Sequence, residues 1–153
     1  MDDRYITPFS NSVMSVLPQF GISDIEMLRV YERERTFETH GIIVVLGLVG
    51  DMRGNVIYSM TNQCASGIAA LMMGMELPEF DEMAQSAVSE LTNMLTANAS
   101  TELSGSGVTI DISTPTLLTG KFSTTANCSK IVTIELMVNG QPFEVNLAVD
   151  KIS

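Results

Sequence analysis

The run Ile42-Ile-Val-Val-Leu-Gly-Leu-Val49, set between Gly41 and Gly50, is the strongest constraint on what this chain can fold into. It is far shorter than the roughly 20 apolar residues a membrane-spanning helix requires. Its β-branched content and flanking glycines predict a buried strand in the middle of a sheet. Asp51-Met-Arg-Gly54 reads as a turn and Asn55–Met60 as the return strand of a hairpin. Upstream, Met27, Arg29, Tyr31, Arg33 and Arg35 alternate with Leu28 and Val30, which predicts a long, partly exposed strand over Ile25–Phe37. Further strands are expected at Val108–Ile112, Lys121–Ala126, Lys130–Val138 and Pro142–Val149. The last two flank Asn139-Gly140, the strongest short hairpin signal in the chain.

Helices fill the gaps between these strands. Ile6, Phe9, Val13, Val16 and Leu17 recur at helical spacing over Arg4–Leu17, with Pro18 and Gly21 closing the segment. Thr61 or Asn62 can cap a second helix, which runs through Ala65, Ile68 and Ala69 to Gly74. A third is expected to begin near Pro78, with Glu79, Asp81 and Glu82 in its first turn, and to reach about Ala99. Ser104-Gly-Ser-Gly107 reads as a flexible loop. The expected class is α+β: a mostly antiparallel sheet with two long helices and one shorter helix packed on it. No linker divides the 153 residues, so 1–153 is expected to be a single domain with a hydrophobic core of its own.

Charge narrows the functions available. A formal net charge of −10, with only eight Lys and Arg, argues against a nucleic-acid partner and against an anionic membrane surface. The opening Met-Asp-Asp-Arg-Tyr lacks the apolar stretch of a signal peptide, so a cytoplasmic location is expected. Cys64 and Cys128 are far apart in no metal-type spacing and are expected to be reduced, and no metal site is expected.

The candidate site lies in Ser86-Ala-Val-Ser-Glu90-Leu-Thr-Asn93-Met-Leu-Thr-Ala-Asn98-Ala. On a helical wheel with Ser86 at zero, Glu90 lies at about +40° and Asn93 at about −20°. Ala84, Ala87, Val88, Leu91 and Leu95 fall at about 100° to 200°, which turns them to the core. The carboxylate and the carboxamide therefore point outward. On a rigid element, such a pair can hold a partner's charged group and orient a water. From spacing alone, such a trio is better read as a plain solvated helix face.

Three segments in order resemble the CheX/CheC group of chemotaxis phosphatases: Gly54-Asn-Val-Ile-Tyr-Ser, Ala65-Ser-Gly-Ile-Ala-Ala-Leu-Met-Met-Gly74, and Ala87-Val-Ser-Glu90-Leu-Thr-Asn93-Met-Leu-Thr-Ala-Asn98-Ala. The opening Tyr5-Ile-Thr-Pro-Phe9 is similar to the start of CheX, so the likeness covers nearly the whole chain. It implies a CheC-like fold. The group's signature is Asp or Ser, three residues, Glu, two residues, Asn, which Ser86, Glu90 and Asn93 fill. CheC proteins carry it twice, whereas the first helix here offers only Asn11-Ser-Val-Met-Ser-Val at the comparable place. A single copy resembles CheX more than CheC. Ala97 stands where many members have Gly.

The implied activity is removal of the phosphoryl group from the aspartate of a CheY-type response regulator. The receiver is expected to bring its own Mg²⁺ and a lysine, so this chain needs no cofactor of its own. What remains is to place a water in line with the phosphorus. A carboxamide can hold that water without adding charge, a role for Asn93. A carboxylate can pair with the receiver's lysine, a role for Glu90. Ser86 and Ala97 are small enough to let a partner backbone approach. The alternative is a non-catalytic module that binds a response regulator through the same helix. A ligand-binding sensor domain would need a sizeable apolar pocket.

Other residues point less clearly. His40 sits at a strand edge beside Gly41, and a turn-lining or surface place suits it better than phosphotransfer. Cys64 lies at a helix N-terminus, where a thiol can become acidic, but no histidine is near in sequence and a buried structural role fits better. Met60, Met72, Met73, Met75, Met83 and Met94 divide between core filling and an adaptable docking rim. The resemblance also implies a homodimer formed through sheet edges, for which the last two strands are apolar and alternating.

Overall fold

The computed structural model describes residues 1–121 and 123–152. Helix α1 (Asp3–Val16) is capped by Asp2, whose carboxylate accepts from the Arg4 N–H at 2.9 Å. A 3₁₀ turn over Leu17–Phe20 ends at Gly21, whose φ of 81° lets the chain reverse. Three strands follow: β1 (Ile25–Glu38), β2 (Gly41–Gly50) and β3 (Met52–Thr61). Helix α2 (Asn62–Met73) is capped by the Thr61 hydroxyl and ended by Gly74, as its sequence predicts. Helix α3 (Glu82–Gly105) leads to two short strands, β4 (Ile110–Ile112) and β5 (Thr116–Thr119). Strands β6 (Ser123–Val138) and β7 (Gln141–Ile152) complete the chain. Asn139 at φ 49° and Gly140 at φ 74° give their connection the doubly left-handed form of a type I′ turn.

All described pairings are antiparallel, and the sheet runs β1-β6-β7-β3-β2-β4, with β5 also on β2. Strand alternation divides its side chains between two faces. Ile42, Val44, Leu46 and Leu48 of β2 join Val56, Tyr58, Phe143, Val145 and Leu147 beneath the three helices. Ile43, Ile57, Ile131 and Ala148 face the other way and pack with Phe37, Ala126 and Cys128, the far ends of β1 and β6. Strand β2 has no polar alternation because both of its faces are covered.

Several boundaries differ from the sequence expectation. Helix α3 starts at Glu82 rather than near Pro78, because Asp81 turns its carboxylate back to the Ala84 N–H at 2.9 Å. It continues past Ala99 to Gly105, and the expected loop Ser104–Gly107 is the helix's own terminus. Gly107 (φ 84°) donates to Ser104, and Val108 donates to Leu103 at 2.9 Å while both apolar side chains stay buried, a Schellman closure. Lys121–Ala126 and Lys130–Val138 were expected as two strands; Ser123–Val138 is one strand, kinked where its register with β1 shifts between Glu34 and Thr36. Phe122, inside the first of those expected strands, lies outside the described residues. Strand β5 was not anticipated. Strands β6 and β7 are interior, so the sheet edges are β1 on one side and β4 with β5 on the other.

Candidate functional site

Helix α3 settles on the sheet through Ala84, Val88, Leu91, Leu95, Ala99 and Leu103, together with two threonines, Thr92 and Thr96. Burying that stripe turns the opposite face outward. Ser86, Glu90 and Ala97 are exposed on it, and Asn93 is half-buried. The four expected site residues therefore share one face over three turns. Among the described residues, nothing gives the side chains of Ser86, Glu90 or Asn93 a hydrogen bond or ion pair, so their polar atoms are free for a partner.

Beside the stripe runs an open groove of about 420 Å³, walled by Glu82, Ser86, Ser89 and Glu90 on one side and by Pro115 and Leu117 on the other. Asn93 and Ala97 are not among its lining residues. The second wall is present because β5 pairs with β2 over Ile42–Val45, bringing the Pro115–Leu117 segment alongside α3. No local pattern in the sequence announces that approach. Met83, one turn before the signature and 66% exposed, lies on the same side of the helix.

The first helix carries no equivalent site. Asn11 of α1 spends its amide on α3, donating to both oxygens of Glu102 at 3.1 and 3.2 Å, and Ser12 is fully buried.

The family model for chemotaxis phosphatase CheX matches residues 42–138, which include all of α2 and α3. The chain belongs to the CheX family. The CheY-P phosphatase CheX of Thermotoga maritima is 31% identical over 112 residues, 72% of each chain. Chemotaxis protein CheX of Desulfovibrio desulfuricans shares the fold with a TM-score of 0.81 at 22% identity, over 97% of each chain. The CheX–CheY–BeF₃–Mg²⁺ complex from Borrelia burgdorferi matches with a TM-score of 0.79 at 26% identity, covering 96% of this chain and 98% of that one.

Apart from Met83, at the rim of the α3 stripe, the remaining candidates of this CheX-family chain lie away from that stripe or pack in the core. Cys64 is in the first turn of α2, where its N–H donates to Thr61, but its thiol is buried and is pushed up to about 12. Desolvation thus outweighs any help from the helix N-terminus. Burial, and then the Asp150 carboxylate, push the Cys128 thiol up as well, and neither cysteine is bonded to the other. His40 lines the turn between β1 and β2, with Nε2 3.4 Å from Glu144 on the far face of the sheet. Met60 is core and Met72 and Met94 pack against it, whereas Met75 and Met83 are exposed. Among the described residues no three His, Cys, Asp or Glu side chains group so as to hold a metal ion. No described helix is long and apolar enough to cross a membrane.

Proposed function

We infer that this chain is a phosphatase acting on the phospho-aspartate of a CheY-type receiver domain. One observation carries the reading: Glu90 and Asn93 stand uncommitted, side by side, on the exposed face of a capped helix in a chain of the CheX family. The Thermotoga relative is a CheY-P phosphatase and the Borrelia relative is seen with CheY, which supports the substrate class.

In this reading α3 docks across the receiver's phosphorylation site. Glu90 pairs with the receiver's lysine and sets the register of docking. Asn93 then holds a water through its amide, opposite the bond from phosphorus to the aspartyl oxygen. Attack releases inorganic phosphate and restores the aspartate. The amide adds no charge beside the phosphoryl oxygens. Ser86 and Ala97 leave room for the receiver's backbone, and Met83 offers a deformable apolar contact at the rim. Mg²⁺ arrives with the receiver and is part of the substrate.

A homodimer and a cytoplasmic location belong to the same reading. Support for the dimer comes from β1, an edge strand with Met27, Leu28 and Val30 each more than 40% exposed. Met27 and Val30 lie across from the fully buried Leu136 and Ile134, at a margin the helices leave open.

The test is phosphate release from a phosphorylated receiver with wild type, Asn93→Ala and Glu90→Ala. Acceleration by wild type that Asn93→Ala abolishes supports the assignment. Tight binding with no acceleration would instead make the chain a non-catalytic receiver-binding module.

A further inference from the structure

Helix α3 spans 24 residues, and most of its hold on the sheet is apolar. Apolar packing is nearly indifferent to small rotations about the helix axis, whereas a hydrogen bond is directional. Over the segment that carries the site, one side-chain hydrogen bond among the described residues ties helix to sheet: Tyr58 of β3 to Thr96, 2.8 Å between oxygens. The other tie among the described residues, from Ser100 to the Ile110 carbonyl, is 3.5 Å long and lies beyond the site.

The direction of the bond follows from proton counting. Thr96 has one hydroxyl proton, and it goes to the Thr92 carbonyl at 2.8 Å. Tyr58 must therefore be the donor to Thr96. Both residues are buried, and the Tyr58 ring is fixed in turn against Phe143, with centroids 6.3 Å apart. On the helical wheel Thr96 lies at about −80°, the margin of the buried stripe next to Asn93 at about −20°. The bond thus fixes the angular setting of the helix one turn from the amide.

We propose that Thr96, held by Tyr58, is a positioning residue for the site: the bond sets the rotation of α3 that aims Asn93 and Glu90. This rests on the phosphatase reading above. An amide about 6 Å from a helix axis moves about 1 Å when the helix turns by about 10°, a displacement large enough to spoil in-line attack. Glu90 acts through a longer, less directional contact with a flexible lysine. Loss of the bond should therefore lower kcat more than it raises KM.

Thr96→Val keeps the shape and removes the hydroxyl, Thr96→Ser keeps the hydroxyl, and Tyr58→Phe removes the donor. With a phosphorylated receiver as substrate, Thr96→Val and Tyr58→Phe should each lower kcat about tenfold and leave KM within about twofold. Thr96→Ser should stay within about twofold of wild type. The double variant Thr96→Val/Tyr58→Phe should be no worse than either alone, since both remove the same bond. Wild-type kcat in Thr96→Val, or equal damage in Thr96→Ser and Thr96→Val, overturns the proposal while leaving the phosphatase reading intact. Should wild type hydrolyse no receiver, that reading fails, and the side-chain amide resonances of Asn93 still decide the positioning. They should shift in Thr96→Val and return in Thr96→Ser; unchanged resonances in Thr96→Val overturn it.

Discussion

Arg33 and Glu144 meet at 3.0 Å on the face of the sheet away from the helices, joining β1 to β7 across the intervening β6. Glu144 is 5% exposed, and the Arg33 guanidinium also bonds Tyr31 at 2.6 Å and lies over the Phe37 ring. Removing Arg33 takes the ion-pair partner from the buried Glu144 carboxylate and leaves it His40, at 3.4 Å. Arg33→Ala should therefore destabilise the fold by about 3 kcal/mol. Arg29 and Glu135, a pair on the same face but largely in solvent, should matter little. Urea unfolding of Arg33→Ala and Arg29→Ala compares them directly, and equal midpoints would show that burial does not distinguish the two pairs.

The two site residues should separate kinetically. Asn93→Ala should lower kcat by about a hundredfold with KM nearly unchanged, as expected for a group that acts only on the attacking water. Glu90→Gln should chiefly raise KM, because a docking contact is made before and during the reaction alike. Neither substitution should move the unfolding midpoint, since both side chains lie off the buried stripe. Steady-state phosphate release with increasing receiver, alongside thermal unfolding, tests all three expectations.

Alkaline pH should expose the burial of Cys64. Its thiol is pushed up to about 12 from an ordinary 9.0, chiefly by desolvation. The folded state thus keeps a proton that the unfolded chain releases. This contribution to stability is whole below about pH 9 and is lost as pH climbs toward 12. Unfolding free energy measured from pH 7 to 11 should fall above pH 9, and less steeply in Cys64→Ala. The slope that remains belongs partly to Tyr58, whose phenol burial also pushes up. In the native protein at pH 8 the same thiol should react with a disulfide reagent far more slowly than after denaturation.

Strand β1 gives the proposed dimer a specific address. Val30→Glu places a charge on the exposed margin without disturbing a buried side chain. It should convert a dimer at micromolar concentration to a monomer in sedimentation. A wild-type monomer under those conditions would remove the dimer from the proposed function.

Much of the fold was legible because its local signals agree with its tertiary environment. Gly41–Gly50 is a strand bounded by its own glycines, Thr61 and Gly74 delimit α2, and Asn139-Gly140 turns the last hairpin. The stripe of Ser86, Glu90, Asn93 and Ala97 was legible for the same reason: the apolar spacing of α3 determines which side faces out. Misjudged features depend on long-range partners. Strand β5 takes its identity from the edge of β2, and the continuity of β6 depends on how it pairs with β1. Thr92 and Thr96 escaped a count of apolar residues because helical back-bonding to Ser89 and Thr92 lets them enter the core. Pro78 suggested too early a start for α3 because Asp81, three residues on, supplies the cap.

The stripe on α3 carries almost none of the helix's attachment to the rest of the molecule. Asp81, the Schellman closure at Gly107 and the buried side chains secure the helix while positions 86, 90, 93 and 97 change among helix-compatible residues. Mutational drift among such residues at those four positions therefore meets little resistance from folding. A lineage descending from this chain can lose hydrolysis, retune it to another receiver or regain it, and every intermediate along the way remains a folded protein on which selection can act.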